Sequence, residues 1–248
     1  MTKHSLSIVL PAKNERQGLE ITLNELKKYH PEAEWIVVDD GSEDETGAFA
    51  KSLGAQVVRH PYSKGNGAAI KTGARQASGD VIIFMDADGQ HDPADISRLV
   101  DELNKGFDLV VGARQKGSQA SLGRGLANGF YNRFASWMTG HRVQDLTSGF
   151  RAVRAEKFKE FLYLLPNGFS YPTTSTMAFF RAGYSVGYIP IHARKREGKS
   201  HIRIWRDGVR FLLIIFKIGT LFSPMKIFAP AALILFLLGS GWYGWTLM

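Results

Sequence analysis

The sequence predicts an α/β domain built on a mostly parallel sheet with helices on both faces, followed by a C-terminal interfacial helix and one transmembrane helix. Three observations carry this. Short apolar runs alternate with helical stretches over residues 1–112, the pattern of parallel strands joined by crossover helices. Hydrophobic residues make up 44% of 248, enough to bury a full core. Residues 227–248 carry no charge and are long enough to cross a bilayer.

Residues 5–10 form the first apolar strand, and 15–29 place Leu19, Leu23 and Leu26 on one helical face. The strand at 35–38 ends in Asp39-Asp40, and a short helix at 45–53 starts after Ser42 or Asp44, both good caps. A strand at 55–59 and a helix at 67–77 follow. Ser78-Gly79 bounds the strand at 80–85, Pro93 opens the helix at 93–104, and 107–111 is the fifth strand. Beyond Arg114 the alternation loosens. Residues 116–125 read as a mobile loop, 126–138 as a helix, and 150–153 and 186–191 as strands. The expected organisation is a globular domain over 1–203, a juxtamembrane amphipathic helix over 204–224 and a transmembrane helix over 225–248.

Thirty-one Lys and Arg against 23 Asp and Glu give a net charge of +8. That excess calls for an anionic partner: nucleic acid, a membrane surface or a phosphorylated substrate. Composition does not choose among them, but position does. Residues 194–210 hold seven basic residues against two acids, directly before the apolar tail. Basic residues flanking a span mark its cytoplasmic side, which argues against nucleic acid and places the domain on the cytoplasmic face of the cell membrane. The apolar run Leu6–Leu10 is too short for a signal peptide. Residues 211–226 are apolar with two lysines and read as a helix lying in the interface. A buried core helix is the competing reading of 227–248; Pro230, the glycines and the terminal Trp242, Tyr243 and Trp245 suit a span better. The absence of cysteine excludes a disulfide framework and any thiolate metal site.

In open sheets of this kind ligands bind beyond the carboxyl ends of the strands. Pro11–Glu15 follows the first strand, Asp39-Asp40-Gly41-Ser42 the second, and Asp86-Ala87-Asp88-Gly89-Gln90 the fourth. Converging carboxylates repel unless a cation neutralises them, and Asp-x-Asp offers hard oxygen ligands suited to Mg²⁺ or Mn²⁺. Such a cation would bridge a diphosphate and offset the charge that develops as it leaves. Lys64-Gly65-Asn66-Gly67 follows a strand and opens a helix, but Ile70 occupies the third glycine position of a dinucleotide fingerprint. It reads instead as a glycine-rich turn that brings Lys64 and backbone N–H groups to a nucleotide.

The set PAKNE, VVDDGSEDET, KGNGAA, FMDADGQHDP and DLTSGFRAV, in that order between about Leu6 and Ile202, resembles glycosyltransferase family 2. Within it the chain is most similar to the dolichyl- and polyprenyl-phosphate sugar transferases. The resemblance implies a GT-A fold, a nucleotide-sugar donor linked to UDP or GDP, a divalent cation (Mg²⁺ or Mn²⁺) and inversion at the anomeric carbon. Carried onto matching positions, Pro11, Asn14, Glu15, Asp39, Lys64, Asp86, Ala87 and Gln90 would line the nucleotide-sugar site. Asp86, Asp88 and Gln90 would hold the metal and diphosphate. Asp88, Asp145 and Arg196 form the expected catalytic set, with Asp145 as base or sugar-positioning carboxylate. Residues 194–200 resemble the family's Arg-x-x-Gly-x-Ser element, which makes Arg196 and Lys199, and behind them Arg114 and Arg133, candidates for the acceptor phosphate. The same basic residues could instead contact anionic headgroups. Tyr171–Thr176 departs from relatives that carry a glutamate there.

The expected partners are therefore a nucleotide-sugar, a polyprenyl phosphate and the membrane, with an oligomer possible. A lipid phosphate has a second pKa near 6 and is already a dianion at neutral pH, so it needs no strong base. Two readings compete: a family 2 transferase acting on a sugar hydroxyl, and a catalytically silent nucleotide-sugar-binding membrane protein.

Overall fold

Four-residue runs of Val, Ile and Phe favour the extended, doubly covered interior of a sheet, and here they form its centre. The computed structural model describes residues 4–115, 122–168, 170–192, 194, 213, 216–217, 219–221 and 223–247. Strands β1 (Leu6–Ala12), β2 (Glu34–Asp39), β3 (Gln56–Arg59), β4 (Val81–Phe84), β5 (Leu109–Arg114), β6 (Arg151–Arg154) and β7 (Val186–Ile191) make one seven-stranded sheet in the order β3-β2-β1-β4-β6-β5-β7. β1, β2, β3 and β4 are mutually parallel, with Val9 opposite both Ile36 and Phe84. β6 runs antiparallel to β4 and β5, and β7 runs parallel to β5.

The helices are α1 (Arg16–Tyr29), α2 (Thr46–Ser52), α3 (Asn66–Gln76), α4 (Asp95–Leu103), α5 (Leu122–Thr139), α6 (Ala155–Lys159), α7 (Tyr171–Arg181) and α8 (Pro224–Thr246). Leu19, Leu23 and Leu26 of α1 and Ile96, Leu99 and Leu103 of α4 pack on one sheet face. Ala69, Ile70 and Ala74 of α3, Phe158 of α6 and Phe179 of α7 pack on the other. The expected two-faced cover is present. β1 runs two residues further than its apolar pattern indicated, through Pro11 and Ala12. Pro11 lacks an N–H, and it is tolerated where pairing with β4 has already stopped at Val9.

α5 begins at Leu122, four residues ahead of the expected start, and residues 116–121 of the expected loop lie outside the described ones. A third, smaller cluster joins Ala135 and Met138 of α5, Met177 of α7 and Ile227 of α8. Lys226 at the start of α8 donates to the Trp137 and Met138 carbonyls at 3.0 and 3.2 Å, satisfying the open end of α5. Of the juxtamembrane segment before α8, Leu213, Phe216, Lys217 and Gly219–Leu221 are described and helical, and Ser223, also described, is not. α8 has no buried residue. It is the helix among the described residues that is long and apolar enough to cross a membrane, and 23 residues reach about 35 Å at 1.5 Å per residue. Among the described residues only the first turn of α8, at Lys226 and Ile227, meets the domain, so a core-helix reading of the rest finds no partner surface.

Candidate active site

The carboxyl ends of β1, β2 and β4 lie on one edge of the sheet because these strands are parallel, and the loops that follow are stitched together. The Asn14 N–H donates to Ser42 Oγ at 3.0 Å, the Glu43 N–H to Asn14 Oδ1 at 2.8 Å, and the Glu15 N–H to Thr46 Oγ1 at 3.2 Å. Asn14 adopts a φ of 53°, a left-handed conformation that asparagine tolerates better than most residues. Pro11, Asn14 and Glu15 thus form one wall with the loop after β2.

The two acids of that loop have different surroundings. Asp39 is buried; its Oδ1 accepts the Ser42 N–H at 2.8 Å and its Oδ2 lies 3.6 Å from Arg59 Nε. Asp40 accepts from His60 Nδ1 at 2.7 Å, Ser63 Oγ at 2.8 Å, and the Lys64 and Gly65 N–H groups at 2.8 and 2.9 Å. Burial pushes the Asp40 carboxyl up, but these hydrogen bonds outweigh it and hold the group below the usual carboxylate range. Asp40 is the anchor of the glycine-rich turn.

That anchoring corrects one expectation. The N–H groups of the turn are taken within the chain: Lys64 and Gly65 by Asp40, Gly67 by the Gly168 carbonyl at 3.0 Å and Ala68 by the Asn167 carbonyl at 2.8 Å. A side chain at Gly67 would meet the Pro166 carbonyl oxygen at 1.9 Å, so this glycine serves close packing rather than phosphate binding. The Lys64 side chain is exposed, with Nζ 5.8 Å from the Tyr62 ring centre.

The turn after β4 rests on α1 through Gly18, where a Cβ would lie 2.6 Å from the Ala87 carbonyl oxygen. Asp88 Oδ1 accepts the Gln90 N–H at 3.2 Å, and Gly89 supplies the positive φ of 72°. Asp86 keeps its side chain 40% exposed, with His91 Nε2 at 3.5 Å behind it. His91 is itself buried and stacked on Phe150 at 5.0 Å. Asp86 lines a cleft with Asn66, Thr147, Gly149, Ser170, Tyr171 and Pro172. Among the described residues no three His, Cys, Asp or Glu side chains converge into a ready-made metal cage. Two carboxylates and an amide on one turn instead fit a Mg²⁺- or Mn²⁺-type ion that completes its shell with substrate phosphates and water.

Opposite the turn, Asp145 and Arg114 form a bidentate pair: Nε to Oδ2 at 2.8 Å and Nη2 to Oδ1 at 3.0 Å. The Thr147 and Ser148 N–H groups also donate to Asp145, each at 3.1 Å. Burial pushes the Asp145 carboxyl up, but Arg114 and the backbone donors outweigh it and hold it low. Burial likewise pulls Arg114 down, and Asp145 more than restores it. The charge of Asp86 also acts on Arg114, so the pair and the turn share one electrostatic field. Arg133 is exposed on α5. Arg196 and Lys199 lie outside the described residues.

Sequence reasoning missed Arg151. It is fully buried and donates to the Pro172 carbonyl at 3.1 Å, Ser175 Oγ at 2.8 Å, Thr176 Oγ1 at 3.3 Å and the Ser148 carbonyl. It thereby locks the 145–149 loop to the start of α7. The only available signal was an arginine inside the apolar β6 run.

Comparison with known proteins agrees with this geometry. The chain matches the family described as Glycosyl transferase family 2 over residues 7–162. It is 29% identical over 205 residues to the polyprenol monophosphomannose synthase of Mycolicibacterium smegmatis, covering 77% of each chain. It is 30% identical to the undecaprenyl-phosphate mannosyltransferase of Micrococcus luteus, covering 76% of this chain and 83% of the relative. The dolichyl-phosphate hexose transferase of Haloferax volcanii shares 28% identity over 84% of this chain and 90% of its own. Among solved structures, the glucosyl-3-phosphoglycerate synthase of Mycobacterium tuberculosis, in complex with Mn²⁺, UDP-glucose and phosphoglyceric acid, superposes with a TM-score of 0.71 at 21% identity. That match covers 87% of this chain and 80% of the synthase. With the sheet order, the acidic turn after β4 and a family match over most of the α/β domain in agreement, the chain belongs to glycosyltransferase family 2.

Proposed function

We propose that this chain transfers a sugar, with inversion, from a UDP- or GDP-linked donor to a polyprenyl phosphate at the cytoplasmic face of the membrane. The observation that carries the reading is the placement of the Asp86–Gln90 turn beside the Asp145–Arg114 pair, in a chain whose apolar C-terminal helix has no buried residue. The names and ligands of the relatives point the same way.

In this reading residues 1–203 are the catalytic domain, 204–224 the interfacial segment and 225–248 the anchor. Pro11, Asn14, Glu15, Asp39 and Lys64 line the nucleotide, with Ala87 beneath the diphosphate. Asp86 and Asp88, helped by Gln90, hold Mg²⁺ or Mn²⁺, which would offset the charge on the departing diphosphate. Asp145 is held ionised by Arg114 and is a weak base, so it positions the sugar rather than removing a proton. That suits an acceptor already dianionic near neutral pH. Rate enhancement then rests on alignment and on shielding two anionic substrates from each other. Arg196, Lys199, Arg133 and Arg114 are the basic groups assigned to the lipid phosphate, Arg114 through a guanidinium that also holds Asp145.

The test is nucleotide release from a panel of UDP- and GDP-sugars by solubilised protein, with Mg²⁺ or Mn²⁺, with and without polyprenyl phosphate. Release that needs both the cation and the lipid phosphate is expected. Cation-dependent donor binding without lipid-stimulated release would move the acceptor to a hydroxyl, or the protein to a binding role.

A further inference from the structure

We propose that Arg194 is a positioning residue: a clamp that holds the Asp86–Asp92 turn in register with the end of β7. Its guanidinium reaches two carboxylates from distant parts of the chain, Glu25 of α1 through Nη1 at 2.8 Å and Asp92 through Nη2 at 2.9 Å. Its main chain is tied to the same turn: the Arg194 N–H donates to the Gln90 carbonyl at 2.8 Å, and Gln90 Nε2 reaches back to the Arg194 carbonyl at 3.5 Å. One residue thus joins α1, the acidic turn and the exit of β7. It touches the turn at Gln90 and Asp92.

An exposed ion pair contributes little to stability by itself, and Arg194 is about half exposed. Its geometry is that of an alignment device. The forked guanidinium engages two acceptors at once, which a lysine ammonium on the same stem does less well. Asp92 is not free to drift, because its Oδ1 also accepts the Ala94 N–H at 2.9 Å ahead of α4. Glu25 sits on the helix whose Gly18 already supports the turn from below. The turn is therefore fixed from α1, from α4 and from β7. The β7 attachment ties it to Arg194, the first residue of the basic stretch 194–210. A misplacement of about 1 Å between reacting groups can cost about 100-fold in rate, so this attachment bears on how donor and acceptor meet. The inference rests on the reading of Asp86–Gln90 as the donor-phosphate and cation site.

The experiment uses the full chain in nanodiscs and the variants Arg194→Ala, Arg194→Lys, Glu25→Gln and Asp92→Asn. Amide hydrogen exchange over residues 86–94, Mn²⁺ affinity in the presence of UDP, and kcat and KM for each substrate are measured on each. In Arg194→Ala, exchange at 86–94 is expected to rise about tenfold while β1 and β4 stay protected. Mn²⁺ affinity should fall about fivefold, and kcat about tenfold with either KM changed less than about threefold, the signature of lost alignment. Arg194→Lys should recover part of each effect. The two single-carboxylate variants should each give a smaller one that is not additive with Arg194→Ala. Exchange and Mn²⁺ affinity within twofold of the parent would overturn the proposal, whatever the activity. Uniform loss of protection across the domain would also overturn it, by making Arg194 a general scaffold contact. If the parent binds Mn²⁺ and UDP but never transfers to a lipid phosphate, the functional reading fails while the exchange result still decides the clamp.

Discussion

Two acidic clusters stand at the same edge of the sheet and read alike in sequence, yet the structure gives them opposite surroundings. After β2, Asp40 is surrounded by four donors and Asp39 is buried against the Ser42 amide and Arg59. After β4, Asp86 faces the cleft and Asp88 bends the turn that presents it. The donors around Asp40 tie the first cluster into the scaffold, whereas Asp86 of the second lines a cleft with its side chain 40% exposed. A carboxylate already satisfied by backbone N–H groups has little left to offer a cation, so crowding of acids alone does not locate a metal site.

The most severe way to break this comparison is Asp88→Ala. Turnover should fall by about 1000-fold or more, the range for losing a group that stabilises developing charge, with the melting temperature nearly unchanged. Asp40→Ala should do the reverse. It leaves four donors without an acceptor, and removing one partner of a buried charge network costs about 3 kcal/mol or more. Urea unfolding should show that loss, with the kinetic defect confined to donor KM. Equal loss of activity without loss of stability in Asp40→Ala would place it in the reaction instead.

Asp145→Asn sharpens the contrast from the other side of the cleft. If the carboxylate positions rather than accepts a proton, kcat should drop about 10- to 100-fold, below the loss for Asp88→Ala. Single-turnover kinetics at several pH values would check it. Loss as complete as in Asp88→Ala would mark Asp145 as an obligatory base.

The smallest effect is on stability against pH. Asp40 and Asp145 both have folded pKa values below their ordinary one. Below about pH 4 the unfolded chain takes up their protons first, since an unperturbed Asp titrates near 3.9. Their stabilisation is thus fully present above the unfolded value and is lost as pH falls through the folded one. Unfolding midpoints should be flat between pH 5 and 7 on their account and decline below about pH 4. Asp40→Asn and Asp145→Asn should each make that decline shallower.

Much of this molecule was legible in the sequence. The alternation of strand and helix through Val111, the apolar tail and the Asp86-x-Asp88 turn are local patterns, and local periodicity is what burial imposes on a chain. Leu19, Leu23 and Leu26 declare their buried face because a helix repeats every 3.6 residues. Boundaries were less readable: β1 extends through Pro11 and Ala12 because β2 pairs with it there, opposite Val38 and Asp39, a fact about another strand.

What the tertiary structure alone decided are pairings across long stretches of chain. The antiparallel direction of β6, the Arg114–Asp145 pair, the saturation of Asp40 by His60 and the turn at Lys64, the burial of Arg151 against α7, and the reach of Arg194 to Glu25 all join residues from separate elements. The sequence by itself determined the fold class, the edge of the sheet where chemistry gathers and the residue types present there. It did not determine which charges cancel one another. Charge type is written at each position, but neutralisation depends on distance, and distance is set only when the elements pack.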